Sequence, residues 1–244
     1  MFGRKFLIFI FFSTFLLGQK NVENQQLLWY GYYNKLQINQ NWVLNSEVQE
    51  RHFYQPLVQH QLVFRTNLDR RILDDINVSL GFVVFLQSPN DPESESTLMV
   101  PELRTDFGFN AKKKYKYFNV NQRFKVEARF FHQTENNELV GGYQFSNFRM
   151  RYQLGLDIPL IKKQDAEKLI LKIKDEVMFN FGKNIVKNVF DQNRIYIGLN
   201  YPMNKNLAFE AGYLNWFQQR PSGTDFYNRD IIRFSVFHTI NLKK

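Results

Sequence analysis

The chain has 244 residues, no cysteine and a formal net charge of +9. Lacking cysteine, it has no disulfide, no Cys-ligated zinc, no iron–sulfur cluster and no thiol nucleophile. Mean hydropathy is −0.42, yet 17% of residues are aromatic, including 26 Phe, which excludes a bundle of spanning helices and suits a wall facing lipid on one side and water on the other.

Residues 1–18 read as an address. Arg4 and Lys5 precede an apolar run from Phe6 to Leu17, broken only by Ser13 and Thr14, and Gly18 is a small residue suited to cleavage before Gln19. That is the pattern of a secretory signal peptide, too short for a spanning helix. Residues 19–244 are then one expected domain, and no cysteine stands near the cleavage point to carry a lipid anchor.

From Leu27 onward the chain alternates with a period of two. The expected strands are approximately Leu27–Ile38, Trp42–Tyr54, Val58–Leu68, Ile76–Leu86, Pro101–Asn110, Tyr117–Phe131, Tyr143–Ile158, Leu169–Phe181, Arg194–Tyr201, Leu207–Gln218 and Asp230–Leu242. In Phe118–Phe131, for example, Phe118, Val120, Phe124, Val126, Ala128 and Phe130 share one face, and the charged residues from Arg123 to Arg129 share the other. Connections alternate between short or lysine-rich turns and longer loops such as 87–100, 132–142, 182–193 and 219–229. Short periplasmic turns and long outer loops are the asymmetry of an outer-membrane barrel.

These features predict an all-β, antiparallel transmembrane barrel. The segments number eleven, but single-chain bacterial barrels use even counts, so about twelve strands are expected, with ten as the alternative. Trp29, Tyr30, Tyr32, Trp42, Tyr54, Tyr115, Tyr117, Tyr201, Trp216 and Phe217 cluster near strand ends, where rings at the membrane–water interface would form two girdles.

The polar face holds the chemistry. Its inward candidates are Glu47, Arg51, Glu102, Arg104, Arg123, Glu127, Arg129, Arg149, Arg151, Glu176 and Arg194, joined by Arg65, Asp106, Lys125, Asp157, Lys172, Lys174, Glu210 and Arg233. Basic groups outnumber acidic ones. Either an Arg–Glu network fills a narrow lumen, because charges removed from water need partners, or a wet positive wall favours small anionic solutes.

The strings WYGYYNKLQINQNWVLNSEVQER, QRFKVEARF, FRMRYQLGLDIPL and DEVMFNFG followed by FDQNRIYIGLNY resemble the domain-of-unknown-function family 2490. The similarity covers nearly all of residues 19–244, and Trp29, Trp42, Glu47, Arg51, Arg123, Glu127, Arg129, Arg149, Arg151, Glu176 and Arg194 carry most of it. The resemblance implies a Gram-negative outer-membrane barrel and brings no catalytic residue with it.

An enzyme at the outer rim needs a nucleophile or base beside histidine. His52, His60, His132 and His238 are the candidates, with His60 and His238 assigned to the lipid face; His132 with Ser146 or Glu135 is the best trio. Ser94, Ser96, Ser146 and Ser222 fall in no nucleophile motif. Asp91, Glu93 and Glu95 lack the spacing of a calcium loop, and Lys112, Lys113, Lys114 and Lys116 suit a solvated turn.

The expectation is therefore a protein of the cell outer membrane, either a narrow porin-like channel or a structural barrel, in contact with outer-membrane lipid. No enzymatic activity, cofactor, metal or nucleic-acid partner is expected. A rim enzyme acting on lipid or lipopolysaccharide and a soluble periplasmic carrier are the alternatives.

Overall fold

The structure is a computed structural model that describes residues 21–242 apart from 165, 184, 186 and 187. The expected signal peptide lies outside the described residues. Eleven strands follow one another: β1 (Val22–Gln37), β2 (Trp42–Phe53), β3 (Gln59–Leu73), β4 (Ile76–Gln87), β5 (Val100–Lys114), β6 (Asn119–Glu135), β7 (Glu138–Lys163), β8 (Ala166–Phe181), β9 (Phe190–Pro202), β10 (Leu207–Gln219) and β11 (Phe226–Asn241).

Neighbours in sequence pair antiparallel, and the sheet closes into a barrel through β1 and β11. That last seam is parallel and runs unbroken from Val22↔Phe226 to Gln37↔Asn241. The count is thus eleven, where twelve or ten were expected, and the barrel is mixed. Among the described residues, those before Leu27 form no separate strand: residues 22–26 lengthen β1, and a parallel seam removes the parity that antiparallel closure imposes.

Five short links lie at one end of the barrel, at residues 38–41, 74–75, 115–118, 164–165 and 203–206. Asparagine side chains build two of them. Asn39 Oδ1 accepts from the backbone N–H groups of Asn41 and Trp42 (2.9 and 3.0 Å), and Asn204 Oδ1 accepts from those of Asn206 and Leu207 (2.8 and 2.9 Å). The opposite end carries the links 54–58, 88–99, 182–189 and 220–225. The expected loop over 132–142 is a hairpin at that end. Asn136 and Asn137 both take positive φ (49° and 62°), as a two-residue turn of the primed type demands, so β6 and β7 continue almost to its tip.

Period-two alternation sorts the side chains by face. Phe124, Val126, Phe148, Ile197 and Phe234 are exposed on the outside, among a wide apolar band that includes Leu80, Phe82, Phe107, Ile195 and Ile232. Lys125, Glu127, Arg149 and Arg151 are buried on the inside. The interior toward the long-loop end is packed with Leu27, Trp29, Phe53, Tyr196, Leu214, Trp216 and Ile231, and Val63, Val83 and Phe85 form a second cluster.

Two expectations change here. Trp29 and Trp216 belong to this interior, in an edge-to-face pair with centroids 5.6 Å apart, and not to a rim girdle. Their parity along β1 and β10 matches Leu27 and Leu214, which also face inward. His60 is fully buried against the rings of Phe53 and Trp216 instead of facing lipid. The register shifts between Arg51 and His52 opposite β3, and such a bulge displaces residues beside it from strict alternation.

Candidate functional site: the charged lumen

Residues two apart on a strand share a face, so Glu102 and Arg104 on β5, Glu127 and Arg129 on β6, and Arg149 and Arg151 on β7 all project into the same space. Register then brings them together, with Arg104 opposite Arg129 and Glu127 opposite Arg149. Like charges face one another in the first pair, and the carboxylates of adjacent positions resolve the conflict.

Glu102 receives both Nε and Nη2 of Arg104, each at 2.7 Å, and also Nε of Arg129 at 2.5 Å. Glu127 receives Nη1 of Arg151 at 2.6 Å and Nη1 of Arg104 at 3.4 Å, with Arg149 at 3.8 Å. Glu176 on β8 receives Arg151 at 2.9 Å and Arg123 at 2.7 Å. Eight of the eleven candidate residues therefore form one continuous ladder across four strands. The side chains of Glu102, Glu127 and Arg149 are at most 4% exposed, so each carboxylate is satisfied by guanidinium groups in a dry setting, where charge-assisted bonds are strongest. With their lone pairs turned to arginine, these acids offer no free general base.

The other three stand apart from the ladder. Glu47 pairs with Arg65 at 2.5 Å. Arg51 donates to Gln49 (2.7 Å) and Gln61 (2.6 Å) and lies 3.9 Å from the centre of the Trp29 ring. Arg194 sits over Trp216 at 4.5 Å and Trp29 at 5.6 Å, and its Nε has no hydrogen-bond partner.

Four contributors escaped the sequence. Asp191 binds Nε of Arg149 at 2.8 Å, from a position where the register of β9 slips opposite Met178 and Phe179, so alternation gives no sign of it. Arg229 is fully buried and donates to Gln25 (2.7 Å) and Gln218 (2.5 Å) while stacking near Trp216. Asn90 comes from the link between β4 and β5. Its Oδ1 accepts from Arg229 Nη2 at 3.1 Å and lies 3.4 Å from Nε2 of His60, the fourth, and its backbone carbonyl accepts from Gln25 at 2.9 Å. A loop rooted on β4 thus reaches residues of β1, β3 and β11 and lies across the long-loop mouth.

The rim candidates are differently placed. A groove of about 610 Å³ beside the β6–β7 hairpin is lined by His132, Glu135 and Ser146. There the His132 ring packs edge-on against Tyr143, its cross-strand partner, and Ser146 Oγ donates to Asn147. His238 faces outward and bonds Tyr32 Oη at 2.8 Å, and His52 pairs with Glu50 at 3.0 Å. Among the described residues no group of three or more His, Asp or Glu is arranged to hold a metal, and Asp91 caps its own turn by accepting from the backbone of Glu93 at 2.9 Å.

Fold and interior together define a closed eleven-strand β-barrel with a charge-laddered lumen. The family described as "Protein of unknown function (DUF2490)" matches residues 26–228, and the chain belongs to that family. No curated protein and no solved structure matches it.

Proposed function

We propose that this chain is exported by its N-terminal signal peptide and inserts as a barrel in the outer membrane of a Gram-negative cell. There it acts as a structural or narrowly conducting wall element and not as an enzyme. The exposed outer band of Phe, Leu, Ile and Val supports the membrane setting, since a soluble protein rarely shows so large a contiguous apolar surface. Strands of at least twelve residues exceed the 9–11 or so that cross a bilayer.

The observation that carries the role is the state of the lumen. Its ion ladder is buried, its long-loop half is packed with aromatic side chains, and Asn90 ties a loop across that mouth. A wide porin keeps a polar, water-filled bore; here paired charges occupy it. Planar-bilayer recording of the refolded protein tests this: insertion without a steady porin-sized current is expected, and a persistent large conductance from wild type would refute the closed-lumen role. Fractionation tests the location, with recovery in the outer-membrane fraction expected and recovery in the soluble periplasmic fraction contradicting it.

A further inference from the structure

On the short-turn side of the Trp29–Trp216 pair the barrel encloses a chamber of about 260 Å³. Roughly nine waters would fill it at about 30 Å³ each. Seven cationic side chains line it against only two carboxylates, Glu47 and Glu176. Both acids are already engaged, Glu47 by Arg65 and Glu176 by Arg123 and Arg151. Arg51, Lys174, Arg194 and Arg233 are left with no carboxylate within salt-bridge distance among the described residues.

Aromatic faces and neutral groups hold these four in place. Arg194 rests over Trp216 and Trp29, Lys174 lies 5.2 Å from the Tyr196 ring, and Arg233 donates to Tyr33 Oη at 2.7 Å and Ser235 Oγ at 3.1 Å. Such packing orients cations without neutralising them. Glu127 behind Arg151 and Glu210 behind Tyr196 supply part of the balance, and the positive surplus that remains in this low-dielectric enclosure is costly unless a counter-charge enters. The aliphatic and aromatic parts of the wall, Leu214, Tyr33 and Phe237, offer no negative group. Access is from the short-turn side, where lumen charges gain exposure: Arg123 is 29% exposed, against 0% for Glu127.

We propose that this chamber is a binding site for a small oxyanion carrying two or more negative charges, of the phosphate or dicarboxylate class. Arg194 and Arg233 are its principal ligands, and Arg51 and Lys174 supply further charge. The site requires only the folded barrel, so it stands or falls separately from conductance and from cellular location.

The test uses the mature chain refolded in nonionic detergent, carrying Trp42→Phe so that emission comes from Trp29 and Trp216 alone of the three tryptophans. Sodium pyrophosphate and sodium succinate are titrated separately against sodium chloride at matched ionic strength. A saturable change in tryptophan emission is expected with an oxyanion below about 1 mM and not with chloride. Saturation by pyrophosphate alone would assign a phosphate ligand, by succinate alone a carboxylate, and either supports the site. Arg194→Gln and Arg233→Gln should each weaken binding at least tenfold, while Lys113→Gln at the exposed end of β5 should leave it unchanged. Should the arginine variants not refold, Gln153→Glu adds a carboxylate to the same wall without removing a stacked cation, and should also weaken binding at least tenfold. No saturation in wild type, or unchanged affinity in every chamber variant that folds, would overturn the proposal.

Discussion

Glu127 is the acid whose loss should be felt most. Its side chain is fully buried, and three guanidinium groups converge on it, from Arg151 at 2.6 Å, Arg104 at 3.4 Å and Arg149 at 3.8 Å. Glu127→Ala deletes the one negative group that Arg104, Arg149 and Arg151 share among the described residues. Breaking a buried pair by removing one partner typically costs about 3–5 kcal/mol, mostly because the survivor stays uncompensated. Three survivors are involved here, although Arg104 keeps Glu102, Arg149 keeps Asp191 and Arg151 keeps Glu176. Those remaining contacts place the expected loss near the lower end, at about 3 kcal/mol. Glu127→Gln keeps the shape but not the charge and should lose most of the same amount. Glu95→Ala changes an exposed loop acid and should stay within about 0.5 kcal/mol of wild type. Guanidinium unfolding of the protein folded in lipid vesicles measures all three. In a double-mutant cycle, Glu127→Gln with Arg151→Gln should cost less than the sum of the singles by about 0.5–3 kcal/mol. A Glu127→Ala loss below about 1 kcal/mol, or a cost no greater than that of Glu95→Ala, would mean that water reaches Glu127 and that the ladder is solvated.

Other consequences are equally direct. Val126 faces outward at 37% exposure, and an arginine at mid-bilayer on that face costs about 2–4 kcal/mol; Val126→Arg should impair refolding into vesicles while Val126→Leu does not, and equal yields would remove β6 from the lipid-facing wall. Tyr30 and Phe234 are register partners with rings stacked 6.1 Å apart. In a chain without native cysteine, Tyr30→Cys with Phe234→Cys should form an intramolecular crosslink on oxidation, seen as a gel shift reversed by reductant, and Tyr30→Cys with Ile240→Cys should not. If Asn90 holds the loop across the mouth, Asn90→Ala should raise the frequency of brief opening events in bilayer recordings, and an unaltered trace would show that the aromatic packing alone closes that end.

Much of the barrel was legible because a wall between an apolar outer band and a charged interior must alternate. Phe124 and Val126 against Lys125 and Glu127 carry that signal without ambiguity, and the pairs 102/104 and 149/151 follow from it. What stayed hidden lies where alternation breaks or never applied. The bulges beside His52 and Phe179 move His60 and Asp191 out of phase, and a bulge leaves no consistent sequence mark. Trp29 and Trp216 read as interface anchors because a ring with a polar N–H suits either a headgroup layer or a stack against arginine. The count of eleven was present in the segments themselves, but the parallel seam that permits it depends on how β1 meets β11, more than two hundred residues away. Asn90 could not be found at all, since a loop residue acquires its partners only from the final three-dimensional path.

The parallel seam has a topological consequence. In a barrel closed by antiparallel neighbours, the first strand begins beside the point where the last one ends, and a few residues of linker would join them. Here β1 begins at the long-loop rim while β11 ends at the other, and the sixteen-residue strands between rise about 3.3 Å per residue. A linker fusing the two ends must therefore traverse the full height of the wall, outside along the apolar band or inside through a bore already occupied by the arginine ladder. Circular permutants joining these two strand ends should fail to close, and tags inserted just before Val22 and just after Asn241 should report from opposite ends of the barrel.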